Sequence, residues 1–161
     1  MGAGTIVPTP RARLAGFPTR GGPVRSQSVF DARVSAVLGI PLHRFLGMEL
    51  RDPADPAAGI WFPVAEPTLN PSGLLHAGVI YTLMDVASFL ALIGSLADDE
   101  HAVTHDLTVS LLRPVSAGKR VDITGSVLRR GRAVAFMRAE ATVDGEVVAA
   151  AQVTKSVVRA G

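Results

Sequence analysis

The sequence predicts an α+β fold in which a curved antiparallel sheet wraps one long central helix. Three observations predict it. Residues 70–93, NPSGLLHAGVIYTLMDVASFLALI, read as one helix that is apolar nearly all round, as a helix enclosed by its own fold must be. The C-terminal third, from His101 onward, breaks into strand-length segments separated by turn signals. The order of helix, two short strands, buried helix and four long strands segregates helix from sheet.

Taken along the chain, residues 27–38 suit a short amphipathic helix with Ser28 as N-cap. Residues 44–52, RFLGMELRD, suit a strand; PADPAAG makes a turn and GIWFPVA a second strand. EPTLNPSG is a Pro/Asn/Gly loop leading into the apolar helix, whose run from Leu74 to Leu96 ends at the polar ADDE. HAVTHDLTVSLLRP then alternates, with Val103, His105, Leu107, Val109 and Leu111 on one face. VSAGK turns the chain into RVDITGSVLRR, and RRGR makes a hairpin tip at which Gly131 is free to take positive φ. AVAFMRAEATV follows, then the Asp144–Gly145 hairpin signal, then EVVAAAQVTKSVV. No internal repeat is evident. The last strands leave an edge that a second copy of the chain can pair with or cover.

At 161 residues the chain holds one domain with room for a sizeable core. It has no cysteine, which excludes disulfides, thiolate catalysis and thiolate metal ligation. The net charge of +2 is unevenly placed: residues 1–28 carry Arg11, Arg13, Arg20 and Arg25 and no acid. The other 12 of the 16 Lys/Arg face all 14 Asp/Glu, so the body is close to neutral. With no aromatic-interleaved basic motif, a nucleic-acid partner is not expected. Residues 1–27, rich in Pro, Gly and Arg, are expected to be a disordered basic extension, and residues 28–161 the folded domain. They have no apolar run of the secretory kind, and repeated Pro and Gly spoil the amphipathic helix of a transit peptide; a cytoplasmic location is expected. The segment 74–96 is long enough to span a bilayer. Asp85 at its centre, His76 near one end and the lack of flanking Lys/Arg argue instead for the interior of a globular fold.

Asp85 is the residue that needs explaining. It is mid-helix, so it is no cap, and no Lys or Arg lies three or four residues away to pair with it. Thr82 and Ser88 are weak partners at best. A carboxylate in that setting is exposed at an opening or kept for chemistry, and desolvation would raise its pKa toward that of a general base or nucleophile. His76 lies nine residues earlier, about 13 Å along a helix axis, too far for contact within one chain. Either two chains contribute to one site or His76 caps and packs. The helix start offers free backbone N–H groups that suit the oxyanion of an acyl-transfer intermediate. Asn70 is either a turn residue or a hydrogen-bonding partner for substrate. Met84, Phe89 and Met137 read as core.

The run N-x2-G-x2-H-[AG]-G-x6-D is made here by Asn70, Gly73, His76, Gly78 and Asp85. With THDLTVSLLRP and GRAVAF downstream, it resembles the PaaI-type hotdog thioesterases, the phenylacetyl-CoA and 4-hydroxybenzoyl-CoA thioesterases, over residues 40–158. The resemblance implies a hotdog fold and hydrolysis of an aryl- or medium-chain acyl-CoA, with no cofactor beyond the coenzyme A of the substrate and no metal. It implies Asp85 as general base or nucleophile and the Ala77 N–H as the group polarising the thioester carbonyl. Asn70 and His76 would position substrate or the leaving thiolate, and Thr104 would help hold water. Coenzyme A would meet Gly78 and the hairpin tip of Arg129, Arg130, Gly131 and Arg132, whose guanidiniums suit phosphates. It also implies a site straddling a homodimer interface, in a dimer or a dimer of dimers, with Asp85 facing Asn70 and His76 of the neighbour. One departure is Ala77, where the family has glycine; its methyl bears on acyl preference and rate.

Other readings fit less well. A hydratase signature of Asp-x4-His fails because Ala36 stands five residues after Asp31. A non-catalytic acyl-CoA sensor would have no use for Asp85. His101 and His105 beside Asp98, Asp99 and Glu100 lack a clear third ligand for a metal, and no G-x-S-x-G marks a serine hydrolase.

Overall fold

The computed structural model describes residues 26–159. The extension expected over 1–27 lies outside them except for Ser26 and Gln27, which cap and open the first helix. That helix, α1 (Gln27–Gly39), is capped two residues earlier than the sequence suggested: Ser26, not Ser28, accepts from the Val29 N–H. Residues 44–52 do not form one strand. Pro41, suited to the first turn of a helix, opens α2 (Pro41–Phe45), and only Glu49–Leu50 pair as β1. β2 (Ile60–Pro63) sits within its expected segment. The apolar helix is shorter than its hydrophobic run: α3 spans Ala77–Ile93. Leu74 and Leu75 instead make isolated bridges with Ser116 and Leu69, which tie the loop before the helix to itself and to the turn around Ser116.

The four long strands are β3 (Glu100–Leu111), β4 (Arg120–Arg130), β5 (Val134–Val143) and β6 (Glu146–Arg159). With β1 and β2 they form one antiparallel sheet in the order β1-β2-β4-β5-β6-β3. The hairpins β4-β5-β6 are consecutive as expected, and Asp144 and Gly145 both take positive φ in the tight turn before β6. The free long edge, however, is β3; β6 lies inside the sheet between β5 and β3. The sheet curves around α3, whose Leu83, Met84, Ala87 and Leu90 are essentially inaccessible. They pack with Ile60, Phe62, Ile123, Met137 and Val153 of the concave face.

Two irregularities position the site. The first is Gly125 on β4, where a Cβ would lie 2.5 Å from the Ala87 carbonyl oxygen and 3.0 Å from Ser88 Cα. Only a residue without a side chain lets α3 come this near the sheet. The second is a bulge in β3 at His105, between the pairs Thr104–Lys155 and Asp106–Thr154. The expected face of Val103, His105, Leu107, Val109 and Leu111 is therefore not continuous. The extra residue puts Ala102 and Thr104 on the same side as Leu107 and Val109, facing the helix, and leaves Val103 54% exposed.

Gly125→Ala is expected to lower stability by about 1–3 kcal/mol, the usual cost of overpacking, as a drop in urea midpoint at unchanged slope. A neutral result would mean that the helix can move away from β4 freely.

Candidate active site

Asp85 lies on the flank of α3 beside β3 and β6. Its Oδ1 accepts from Thr104 Oγ1 at 2.6 Å and from Lys155 Nζ at 2.7 Å. Lys155 Nζ also donates to Thr104 Oγ1, at 2.9 Å. Asp85 thus has a charged partner, which corrects the expectation of an unpaired carboxylate. The partner comes from β6, 70 residues away, and a search along the helix cannot find it. The Asp85 side chain is 34% exposed, whereas that of Lys155 is 2% exposed. Together with Thr104 they border a cavity of about 200 Å³ whose other walls include Val37, Ile40, His43 and Phe89. Met84 and Met137 are core as expected; Phe89 is only partly buried and serves as a cavity wall.

The other candidates gather at the start of α3. His76 is the N-cap, its Nδ1 accepting from the Gly78 N–H at 3.0 Å. Asn70 Oδ1 accepts from the N–H groups of Ser72 and Leu74 and so shapes the preceding loop. The Gly78 N–H is thereby occupied, while that of Ala77 has no partner among the described residues. Asn70 and Ala77 border a second cavity, of about 290 Å³, together with Leu111, Leu112 and Val115. One chain therefore carries two separate clusters, Asp85–Thr104–Lys155 and Asn70–His76–Ala77. The eight residues from Ala77 to Asp85 separate them by about 12 Å along the helix.

The family model of the thioesterase superfamily matches residues 72–154, just over half of the chain. The chain belongs to the thioesterase superfamily. It is 34% identical over 119 residues to the medium/long-chain acyl-CoA thioesterase YigI of Escherichia coli K12, covering 65% of this chain and 76% of that one. It is 40% identical over 72 residues to the putative esterase F42H10.6 of Caenorhabditis elegans, covering 45% of this chain and only 42% of the length of that relative. Among solved structures it is similar to a single-residue variant of the phenylacetic acid degradation protein PaaI from Thermus thermophilus. The TM-score is 0.65 at 27% identity, covering 73% of this chain and 98% of that one. The hotdog fold and the PaaI-like character expected from the sequence are borne out.

Within this thioesterase-superfamily chain the basic hairpin tip is divided. Arg129 and Arg132 are exposed, but Arg130 turns back, with Nη2 2.7 Å from Glu100 Oε2 and Nη1 3.2 Å from the Arg132 carbonyl. Gly131 does not take positive φ; its Cβ would meet the Val134 carbonyl at 3.0 Å, so space rather than backbone conformation favours glycine there. No group of three or more His, Asp or Glu side chains able to hold a metal occurs among the described residues, and no helix among them is long and apolar enough to cross a membrane. Sequence reading missed Lys155 and the cavity wall His43. A signal for Lys155 was present: the inward row of the last strand reads Ala149, Ala151, Val153, Lys155, Val157, a lysine at a core position.

Burial alone would raise the Glu100 pKa, but the Ala97 N–H and Arg130 outweigh it and hold the carboxyl below its ordinary value of 4.5. A depressed carboxylate contributes stability above its unfolded pKa and loses it as pH falls through the folded one. Glu100→Gln is therefore expected to cost about 1–3 kcal/mol at pH 7 by urea unfolding. The gap from wild type should close as pH falls below 4.5. A pH-independent gap would contradict this.

Proposed function

We propose that this chain hydrolyses acyl-CoA thioesters, in a site assembled from two copies paired along β3. The observation that carries the reading is the arrangement of that edge. Among the described residues β3 is free on one side; it bears Thr104, bonded to Asp85, near its middle, and Leu111, bordering the Ala77 cavity, at its C-terminal end. Two copies joined antiparallel about an axis between Leu107 and Thr108 bring Thr104 of one chain opposite Leu111 of the other. That places each Asp85 cluster beside a partner's helix start and produces two equivalent sites, as a two-fold interface requires. The exposure of Val103, Leu111 and Leu112 along this edge supports the same pairing. Leu128 and Phe136, exposed on neighbouring strands β4 and β5, offer a second apolar face on which two dimers can stack.

The chemistry follows from the parts. Asp85 takes a proton from water as its oxygen attacks the thioester carbon. The carbonyl electrons move to oxygen, where the free Ala77 N–H at the start of α3 stabilises the charge. The tetrahedral adduct collapses, the C–S bond breaks, and the proton held by Asp85 neutralises the departing thiolate. Direct attack by the carboxylate, through an anhydride that water then opens, uses the same geometry. Asn70 positions the carbonyl, and His76 holds the turn that aims the Ala77 N–H. Arg129 and Arg132, exposed at the hairpin tip, suit the phosphates of coenzyme A, while Arg130 secures the tip through Glu100. A cavity of about 200 Å³ beside Asp85 with mainly apolar walls suits an aryl or medium-length acyl group. The name of the E. coli relative supports a coenzyme A thioester. Because such thioesters are made and kept inside cells, a cytoplasmic location accords with the reading.

The test is thiol release from a panel of acyl-CoAs, read with a thiol-reactive dye against a protein that has no cysteine of its own. Wild type is expected to turn over aryl- or medium-chain substrates, and Asp85→Asn to lose about a hundredfold or more in kcat, the scale for a general base. Absence of turnover on every thioester, with acyl-CoA still bound, would contradict the assignment.

A further inference from the structure

Lys155 is the most unusual residue of the inner sheet face. It stands in a row of Ala149, Ala151, Val153 and Val157, its side chain almost wholly buried. Such an ammonium is costly unless fully paired, and a buried ion pair adds little stability over an apolar residue of the same size. Its partners are Asp85 Oδ1 and Thr104 Oγ1, and it sits 5.8 Å from the centre of the Phe89 ring. An ammonium can only donate, so Thr104 Oγ1 must accept from it, and the one hydroxyl proton of Thr104 is directed to Asp85. Both donors converge on the same carboxylate oxygen. Oδ2 receives no hydrogen bond from any described residue, and Asp85 retains a third of its side-chain surface beside the cavity.

We propose that Lys155 is a positioning residue: by holding Oδ1 directly and through Thr104, it fixes the Asp85 carboxylate in one orientation and leaves Oδ2 as the oxygen that meets water or the thioester. This rests on the reading of Asp85 given above. Lys155 touches no reacting atom; it acts by selecting the oxygen that does. When Oδ2 takes up the proton of the attacking water, the contacts to Oδ1 keep the carboxyl from rotating, so the same oxygen delivers the proton to the leaving thiolate. Thr104 has its proton committed to Asp85, and toward water it is left with the role of acceptor.

The test compares Lys155→Ala, Lys155→Met and Asp85→Asn in the full-length protein on the best acyl-CoA of the panel. Both lysine variants are expected to lose about ten- to a hundredfold in kcat, with KM changed by no more than about twofold, the pattern of a misplaced reacting group. Methylammonium or ethylammonium in the assay is expected to restore at least about fivefold of the Lys155→Ala loss, saturably, by occupying the vacated space, and to do nothing for Asp85→Asn. Lys155→Met retains the packing, which keeps the kcat comparison available if the alanine variant does not fold. The proposal is overturned if folded Lys155→Met keeps wild-type kcat, if KM rises in step with the loss, or if no amine rescues a folded alanine variant. Should Asp85→Asn stay active, the base assignment and this inference fall together. Should it be inactive while Lys155→Met is unimpaired, only the positioning role falls.

Discussion

An apolar helix that must be enclosed is the constraint on which the rest of this structure depends. α3 buries residues on more than one face, and a single sheet covers a helix from one side only. The sheet therefore curves, and Gly125 lets β4 approach the backbone of Ala87 and Ser88 far more closely than any side chain allows. The enclosure stops at β3, the last strand of the sheet. Asp85 lies on the flank that this edge leaves accessible, where a carboxylate stays in contact with solvent while its neighbours Met84 and Val86 are buried. The position of the candidate base is in this sense a consequence of where the sheet ends.

The same edge accounts for the division of the site. The start of α3 supplies an N–H at Ala77 with no partner among the described residues, set by the His76 cap and the Asn70 loop. Asp85 is more than two turns further along, in a different cavity. On the proposed reading the two clusters are complementary: one has charge stabilisation without a base, the other a base without an oxyanion site. The proposed antiparallel β3–β3 pair would join them twice, because the strand passes Asp85 at Thr104 and the Ala77 cavity at Leu111.

Much of this was legible in the sequence, for physical reasons. The Asp144–Gly145 turn was readable because two consecutive residues at positive φ demand such a pair. The apolar helix was readable from its composition, although Leu74 and Leu75 belong to the loop; hydrophobicity marks what is buried and says little about where helical hydrogen bonding begins. The short helix opened by Pro41 takes Arg44 and Phe45 out of the strand expected over residues 44–52. The bulge at His105 was invisible, since one inserted residue leaves alternation intact on either side of it while exchanging the faces. Thr104 reaches Asp85 only through that exchange. Lys155 escapes any reading of local spacing along α3, because its partnership spans the sheet.

The central claim, that each site is built from two chains, is tested most directly by complementation between two inactive variants. Asp85→Asn removes the base. Ala77→Pro removes the N–H at the first helical position, where proline is well tolerated, and the extended backbone of His76 suits a following proline. Refolded together in equal amounts, the two chains should form mixed dimers in about half of all cases, each with one intact and one doubly defective site, so that about a quarter of wild-type turnover returns. Mixed dimers that form, isolated by two different tags, and show no activity above either parent would contradict the account and place a complete site within a single chain.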